Sequence, residues 1–329
     1  MEKLIVNIKS ILEKVDFNAI WQGFVPCDFA LFDQNTVYMH DRQIPRDNRF
    51  MGNTAIIFED KPLAIWYVEN PNMEDTELLA SGLVHEMFHA FQKQQGESRY
   101  PNEFSIFAYP QILENYQLKQ AENHYLSKAF AENSLMDLEQ FVTLRRARGH
   151  IIGDIIQQEM LCETEEGMAE YAGLMALSQI NRSKFMENIE HHMICLRNPD
   201  DLFNIRRISY SVGCIMCLTM KSIGINFHHQ LSDSRMLFDF IPAGKNPVEV
   251  RFKQFKHERQ RQFDEFLASH NEKIGCDTQI TGFDPMNMVR LGDKILCSRF
   301  VMLDGEFIQG PVMLEMAEGS LHKVVGYIK

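Results

Sequence analysis

This sequence lacks several features that are typical of particular protein classes, and each absence excludes some possible functions. It has no apolar run long enough to span a bilayer, so we expect no membrane partner. Positive charge is scarce, since 33 Lys and Arg stand against 45 Asp and Glu and give a net charge of −12. That balance argues against a nucleic acid partner. The first residues lack the apolar core and cleavage site of a signal peptide, so we expect a cytoplasmic protein.

Cysteines are few and odd in number, with seven in the chain. Most stand in apolar stretches, which indicates reduced and buried thiols rather than a disulfide framework. Cys214 and Cys217 form a C-x-x-C pair inside an apolar, helix-like segment, and no second pair accompanies them. We interpret them as core residues in preference to a redox or structural metal pair.

The most informative segment that is present is the H-E-x-x-H pattern from His85 to His89. It lies in a stretch, Glu74–Gly96, whose apolar residues recur at helical spacing. Residues four apart share one face of a helix, so both imidazoles could reach the same ion. Glu86 would stand at the edge of that ion, where it could take a proton from water. The pattern favours a zinc-dependent hydrolase; the alternative is two ordinary histidines on a buried helix.

A third ligand is expected from an acidic stripe further along the chain. Glu159, Glu163, Glu166 and Glu170 are spaced four, three and four residues apart, which places them on one helical face. A solvated acidic face is the simplest interpretation of such a stripe. The apolar residues of the same segment, however, predict a helix that is packed on several sides. Carboxylates buried there would need compensation, which a divalent cation could provide.

The two patterns together resemble the gluzincin metallopeptidases, the group that contains the thermolysin and aminopeptidase N branches. The likeness is carried by H-E-x-x-H and by a later E-G-x-A-x-Y segment, which Glu166 begins and Tyr171 ends. It implies a Zn²⁺ ion held by His85, His89 and Glu166. It also implies Glu86 as the general base.

The same resemblance implies roles for neighbouring residues. Glu170 stands four positions after the ligand glutamate, where an acidic residue of thermolysin-like enzymes hydrogen-bonds a zinc histidine and fixes its tautomer. Glu163, one turn before Glu166, is the fallback ligand. Tyr210 begins a Y-x-x-G segment similar to that of the aminopeptidase branch, which implies a donor to the developing oxyanion. A structural tyrosine is the alternative, and His191 and His192 are other candidate donors that we otherwise interpret as surface residues.

The function expected from these residues is hydrolysis of a peptide or protein substrate by water that a zinc ion activates. The alternative is a catalytically inactive zinc-binding protein of the same fold with a binding or regulatory role. Hydrolysis of a non-peptide amide or ester is a further alternative. Substrate sequence, exo- or endopeptidase action and oligomeric state stay open.

The expected fold is α+β, with a mostly helical, zincin-like catalytic domain over residues 1–273. It has a small N-terminal sheet at about 25–70 and helices over 74–271. The gluzincin resemblance implies that an edge strand of this sheet binds the substrate backbone, and 55–58 or 64–67 could supply it; a buried central strand is the alternative for either segment. Short apolar runs between Gly and Asp turns predict a small antiparallel β-domain over 274–329.

Two features between these elements have open interpretations. An aromatic loop with Phe104, Phe107 and Tyr109 could wall a substrate pocket or pack on the core. Arg145, Arg146 and Arg148 form a basic cluster, which we interpret as a solvated or salt-bridged face. A substrate-carboxylate anchor is the alternative for that cluster.

Overall fold

The computed structural model describes residues 1–227, 231–242 and 247–329. Within these ranges the chain is α+β, with ten α-helices and two sheets, one near the N-terminus and one at the C-terminus. This confirms the predicted class at that level. The chain divides into two compact units, Met1–Gly244 and Lys245–Lys329.

The first unit begins with two helices and a five-stranded sheet. The helices are α1 (Glu2–Leu12) and α2 (Phe17–Ile20), and the strands are β1 (Asp28–Phe32), β2 (Thr36–Tyr38), β3 (Gln43–Pro45), β4 (Thr54–Phe58) and β5 (Lys61–Tyr67). The strand order is β3-β2-β1-β5-β4, in which β1 and β5 are parallel and the other pairs are antiparallel. Of the two segments predicted as a possible edge, β4 lies at the edge and β5 is interior. The sheet falls inside the predicted range.

The rest of the first unit is helical. It consists of α3 (Thr76–Gln94), α4 (Glu103–Phe107), α5 (Leu113–Glu132), α6 (Leu135–Ile152), α7 (Ile155–Ile180), α8 (Arg182–Arg197) and α9 (Ile205–Ile223), with short 3₁₀ turns at Pro199–Phe203 and Leu237–Phe240. Helix α7 is central and packs against both α3 and α9. A single apolar core runs through these three helices and through α1.

Two glycines allow α7 and α9 to cross closely. A Cβ atom on Gly167 would overlap the backbone of Gly213, and a Cβ atom on Gly213 would overlap the carbonyl of Glu163. Any side chain at either position would therefore push the helices apart. The crossing explains why glycine stands in both the E-G-x-A and Y-x-x-G segments, and it brings the residues one turn before Gly213 toward Glu166.

The second unit contains α10 (Pro247–Ser269) and a seven-stranded antiparallel sheet. The strands are β6 (Lys273–Phe283), β7 (Met288–Leu291), β8 (Lys294–Cys297), β9 (Phe300–Leu303), β10 (Glu306–Gln309), β11 (Val312–Met316) and β12 (Lys323–Ile328), in the order β10-β9-β6-β12-β11-β8-β7. Phe263 and Phe266 of α10 are buried with Leu296, Met313 and Ile328 of the sheet. Because of this packing α10 belongs with the strands, whereas the predicted boundary at 273/274 follows it.

All seven cysteines lie in described residues and are free thiols, and Cys214 and Cys217 are fully buried in α9. The prediction that this pair belongs to the core is confirmed. Burial raises the pKa of both thiols well above the ordinary value. No helix within the described ranges is both long and apolar enough to cross a lipid bilayer.

Candidate metal centre

Helix α3 holds the two histidines rigidly. The Asp75 side chain caps its N-terminus by accepting from the backbone N–H groups of Glu77 and Leu78. Leu83 and Val84 before the motif, and Met87 and Phe88 within it, are buried, which fixes the rotation of the helix about its axis. His85 is 7% exposed and lies with His89 on the face toward α7. The local sequence therefore presents both imidazoles in one direction, as the spacing predicts.

Helix α7 brings Glu166 to these two rings. Glu166 Oε2 lies 3.2 Å from His89 Nε2 and 3.3 Å from His85 Nε2, and the two Nε2 atoms are 3.0 Å apart. In a tetrahedral zinc site with bonds of ~2.0–2.1 Å, ligand atoms are separated by about 3.3 Å. The three atoms therefore form a triangle of the size that one zinc ion requires, and the donor set of two nitrogens and one oxygen suits that metal.

Each histidine is oriented through its other ring nitrogen. His85 Nδ1 lies 2.9 Å from Glu170 Oε2, and His89 Nδ1 lies 2.8 Å from Gln92 Oε1. Because both partners accept, each Nδ1 donates and each Nε2 keeps its lone pair for an ion. The structure thus places Glu170 where the resemblance implied. Gln92 was not foreseen, although it follows His89 by three residues on the same face and is fully buried.

A further layer lies behind Glu170. Its Oε1 atom is 3.2 Å from His192 Nε2, and His192 Nδ1 is 3.0 Å from the Ser211 hydroxyl. His192 is 6% exposed, so its interpretation as a surface residue was wrong. Both of its nitrogens face protein partners, which makes it a support for Glu170. His191 is exposed, as a surface histidine would be.

The electrostatics of the cluster favour a cation. Burial by itself lowers the pKa of His85, but hydrogen bonds to Glu166 and Glu170 outweigh it and raise that pKa to about 10. Burial by itself raises the pKa of both carboxyls, and the hydrogen bonds with the imidazoles hold each well below its usual range. The two carboxylates therefore stay ionised and attract positive charge to the imidazoles, either a proton or a metal ion in its place.

Glu86 is poised differently from the other carboxylates. It is 8% exposed, and among the described residues its carboxylate has no hydrogen-bond partner. Burial raises its pKa above the ordinary value, against the opposing charges of His85 and His89. A buried carboxylate that is free of partners and disposed to accept a proton is suited to act as a general base.

Helix α9 contributes Tyr210 and Arg206. The ring of Tyr210 stacks on His85 with centroids 5.7 Å apart and an interplanar angle of 8°. Burial, the charge of Glu166 and a hydrogen bond to that carboxylate raise the pKa of the Tyr210 hydroxyl, so it stays protonated as a donor. Arg206 donates from Nη2 to Glu166 Oε1 at 2.6 Å, which leaves Oε2 as the oxygen that faces the histidines. Arg206 lies one turn before Tyr210 and was missed because its partner is distant in sequence.

Glu163, the fallback ligand, lies outside this cluster. Its two carboxylate oxygens accept from Nη1 and Nη2 of Arg145 at 2.6 and 2.9 Å. It belongs to a fully buried network with three cations and three carboxylates, formed by Lys119, Glu122, Arg145, Arg148, Glu159 and Glu163. The acidic stripe therefore divides, with its first half neutralised by basic side chains and its second half facing the histidines.

For Arg145 and Arg148 the same network confirms the salt-bridged interpretation of the basic cluster and contradicts the solvated one. Arg145 and Arg148 are 1% and 0% exposed, and only Arg146 of the three faces solvent. They cannot form a solvated face or reach a substrate carboxylate. Burial of two guanidinium groups is possible here because each has carboxylate partners from neighbouring helices.

Comparison of the chain with protein-family models, with curated proteins and with solved structures found no match in any of the three.

Proposed function

We propose that this chain is a zinc-dependent peptidase with a zincin-like catalytic unit, in which His85, His89 and Glu166 hold the ion. The observation that carries the proposal is the triangle of ligand atoms, 3.0 to 3.3 Å on each side, next to the buried carboxylate of Glu86. Two histidines that only packed in the core would not require one carboxylate oxygen within 3.3 Å of both imidazoles. A zinc ion bound there would supply a Lewis acid that lowers the pKa of water toward neutrality.

Glu86 would act as the base and then as the acid of the reaction. Its carboxylate takes a proton from the water molecule that attacks the scissile carbonyl carbon. The same proton then passes to the amine nitrogen as the peptide bond breaks. The raised pKa of Glu86 suits both transfers, because it brings the carboxyl closer to the pH at which the enzyme would work.

Tyr210 would stabilise negative charge on the carbonyl oxygen. Its ring is fixed against His85, and its hydroxyl remains protonated because burial and the charge of Glu166 raise its pKa. A fixed donor close to the reacting carbonyl stabilises the transition state more than the ground state. His192 does not compete for this role, since Glu170 and Ser211 occupy its nitrogens.

The edge strand β4 would hold the substrate backbone. Ala90 and Lys93 of α3 line a cavity of about 330 Å³ together with Ile56 and Ile57 of β4. Glu86 lies one turn before Ala90 and shares that helical face. An extended peptide added to β4 would therefore run past the general base, with backbone hydrogen bonds that require no particular substrate sequence.

The experiment that tests the proposal compares wild type with Glu86→Gln and His85→Ala after zinc loading, on a mixed peptide library read by mass spectrometry. We expect wild type to cleave peptides. Glu86→Gln should keep zinc and lose about 10²- to 10⁴-fold in rate, and His85→Ala should lose both zinc and activity. An unchanged rate in Glu86→Gln would exclude the mechanism. Wild type that holds zinc and cleaves nothing would instead indicate a zinc-binding protein without catalysis.

A further inference from the structure

A second cavity, of about 720 Å³, lies beside the metal centre. Its walls come from α4, from the 3₁₀ turn Pro199–Phe203 and from the start of α9. Ile106, Tyr109 and Ile205 line its buried side and belong to a small apolar cluster that also contains Cys162. The volume falls in the range of small-ligand sites and leaves ample room for one large side chain.

The rim of this cavity is unusually aromatic for exposed surface. Phe104, Phe107 and Phe203 line it and are 86%, 93% and 64% exposed. The ring of Phe203 lies 5.1 Å from that of Tyr116, which continues the wall inward. Exposed aromatic rings clustered around a concavity are typical of binding sites. Burying their apolar surface against a ligand is favourable, and folding alone has not removed that surface from water.

One side chain connects this cavity to the metal centre. Arg206 lines the cavity and donates from Nη2 to Glu166 Oε1 at 2.6 Å. Its Nε atom lies 3.2 Å from Glu103 Oε1. An extended peptide advances about 3.3 Å per residue. A substrate whose scissile bond lies at the ion that Glu166 helps to hold would therefore place a side chain in the cavity within a few residues of that bond.

The charges on the rim indicate which side chain fits. Arg206 and Glu103 are paired with each other, and Glu166 takes a second bond from the same guanidinium. A charged substrate group would have to displace one of these pairs, whereas an apolar group would contact only the rings. The cavity therefore favours an uncharged, large apolar side chain.

We propose that this cavity, rimmed by Phe104, Phe107 and Phe203, is a specificity site for an aromatic or large aliphatic side chain of a peptide substrate. The proposal rests on the proposed peptidase function and adds the class of residue that lies near the cleaved bond. Phe104 and Phe107 would supply the apolar contact, and Arg206 would mark the boundary between this site and the metal centre.

The test measures binding to zinc-loaded Glu86→Gln protein, which separates recognition from turnover. The probes are acetylated heptapeptides of Ala and Gly in which one Phe is moved through each position in turn. We expect one Phe position to tighten binding about tenfold or more over the parent peptide. Introducing Phe104→Ser and Phe107→Ser together into the Glu86→Gln protein should abolish this gain in affinity. Both side chains are largely exposed, so the fold should tolerate the change.

The matched control is Phe283→Ser, which removes another exposed phenylalanine far along the chain in β6 and should keep the gain. A gain at no position, or one that survives in the double variant, would overturn the proposal. Cleavage by the wild type separates the two claims. Hydrolysis without any Phe preference contradicts only this site, whereas a Phe-dependent affinity without hydrolysis contradicts only the peptidase function.

Discussion

Glu170 Oε2 lies 2.9 Å from Nδ1 of His85, so the carboxylate holds the ring with its Nε2 atom directed at Glu166. The contact sets the tautomer, because an ionised carboxylate can only accept from Nδ1. The Glu170 carboxylate is oriented in turn by His192, whose Nε2 atom lies 3.2 Å from Glu170 Oε1. The candidate metal centre is thus supported by two successive layers of hydrogen bonds.

Glu170→Gln should weaken zinc binding about 10- to 100-fold, because a neutral amide orients His85 and raises its basicity less than a carboxylate does. Competition with a chromophoric chelator would measure the change. The control is Glu165→Gln, which removes a charge from the same helix, and within the described residues the Glu165 carboxylate hydrogen-bonds neither histidine. Equal losses in the two variants would mean that only net charge matters, contrary to the positioning role of Glu170.

The pH dependence of cleavage should report Glu86. A protonated Glu86 cannot accept a proton from water, and burial raises its pKa. The acid limb of kcat/KM should therefore lie above pH 4.5, the ordinary value of this carboxyl. Zinc content measured at each pH separates this loss from release of the ion. An acid limb that simply follows zinc release would contradict the assignment.

Tyr210→Phe should lower kcat about 10²-fold, since one donor to the developing oxyanion is lost. Its zinc content should equal that of wild type, because the ring that stacks on His85 is kept. Steady-state kinetics beside metal analysis would check both expectations. A variant with wild-type kcat would leave Tyr210 as a packing residue only.

Arg145→Leu should destabilise the fold by about 3–5 kcal/mol, because it leaves Glu163 buried without its hydrogen-bonded cation and removes one of the two guanidinium partners of Glu122. Arg146→Leu is the matched control, since Arg146 is the exposed neighbour in the same helix. It should change the free energy of unfolding by no more than about 0.5 kcal/mol. Urea unfolding of both variants would compare them, and equal stabilities would contradict the structural role given to Arg145.

The helix that bears the H-E-x-x-H motif was predictable because its signals are local. Apolar residues recur at four-residue spacing, Asp75 caps the start, and Gly96 follows the end with a φ of +78°. The strand runs of the C-terminal unit were predictable for the same reason, since Gly and Asp turns separate them. Local periodicity did not show that α10 packs on those strands. That packing depends on contacts of Phe263 and Phe266 with strand residues that are distant in sequence.

The buried ionic network was not predictable from local pattern. Arg145 and Arg148 stand next to exposed Arg146 in a polar segment, and a solvated helix has the same composition. Their carboxylate partners come from α5 and α7 and become neighbours only when the helices pack. The same reason hid Arg206, whose contact with Glu166 spans 40 residues. Spacing alone likewise could not separate Glu166 from Glu163 as the candidate ligand.

The most direct test of the account is the zinc content of purified wild type beside Glu166→Ala, with Glu165→Ala as control and circular dichroism to check folding. We predict one zinc per chain in wild type and in Glu165→Ala, and its loss in folded Glu166→Ala. Wild type that binds no zinc when the ion is supplied, or Glu166→Ala that retains it at full affinity, would contradict the assignment of His85, His89 and Glu166 as a zinc site.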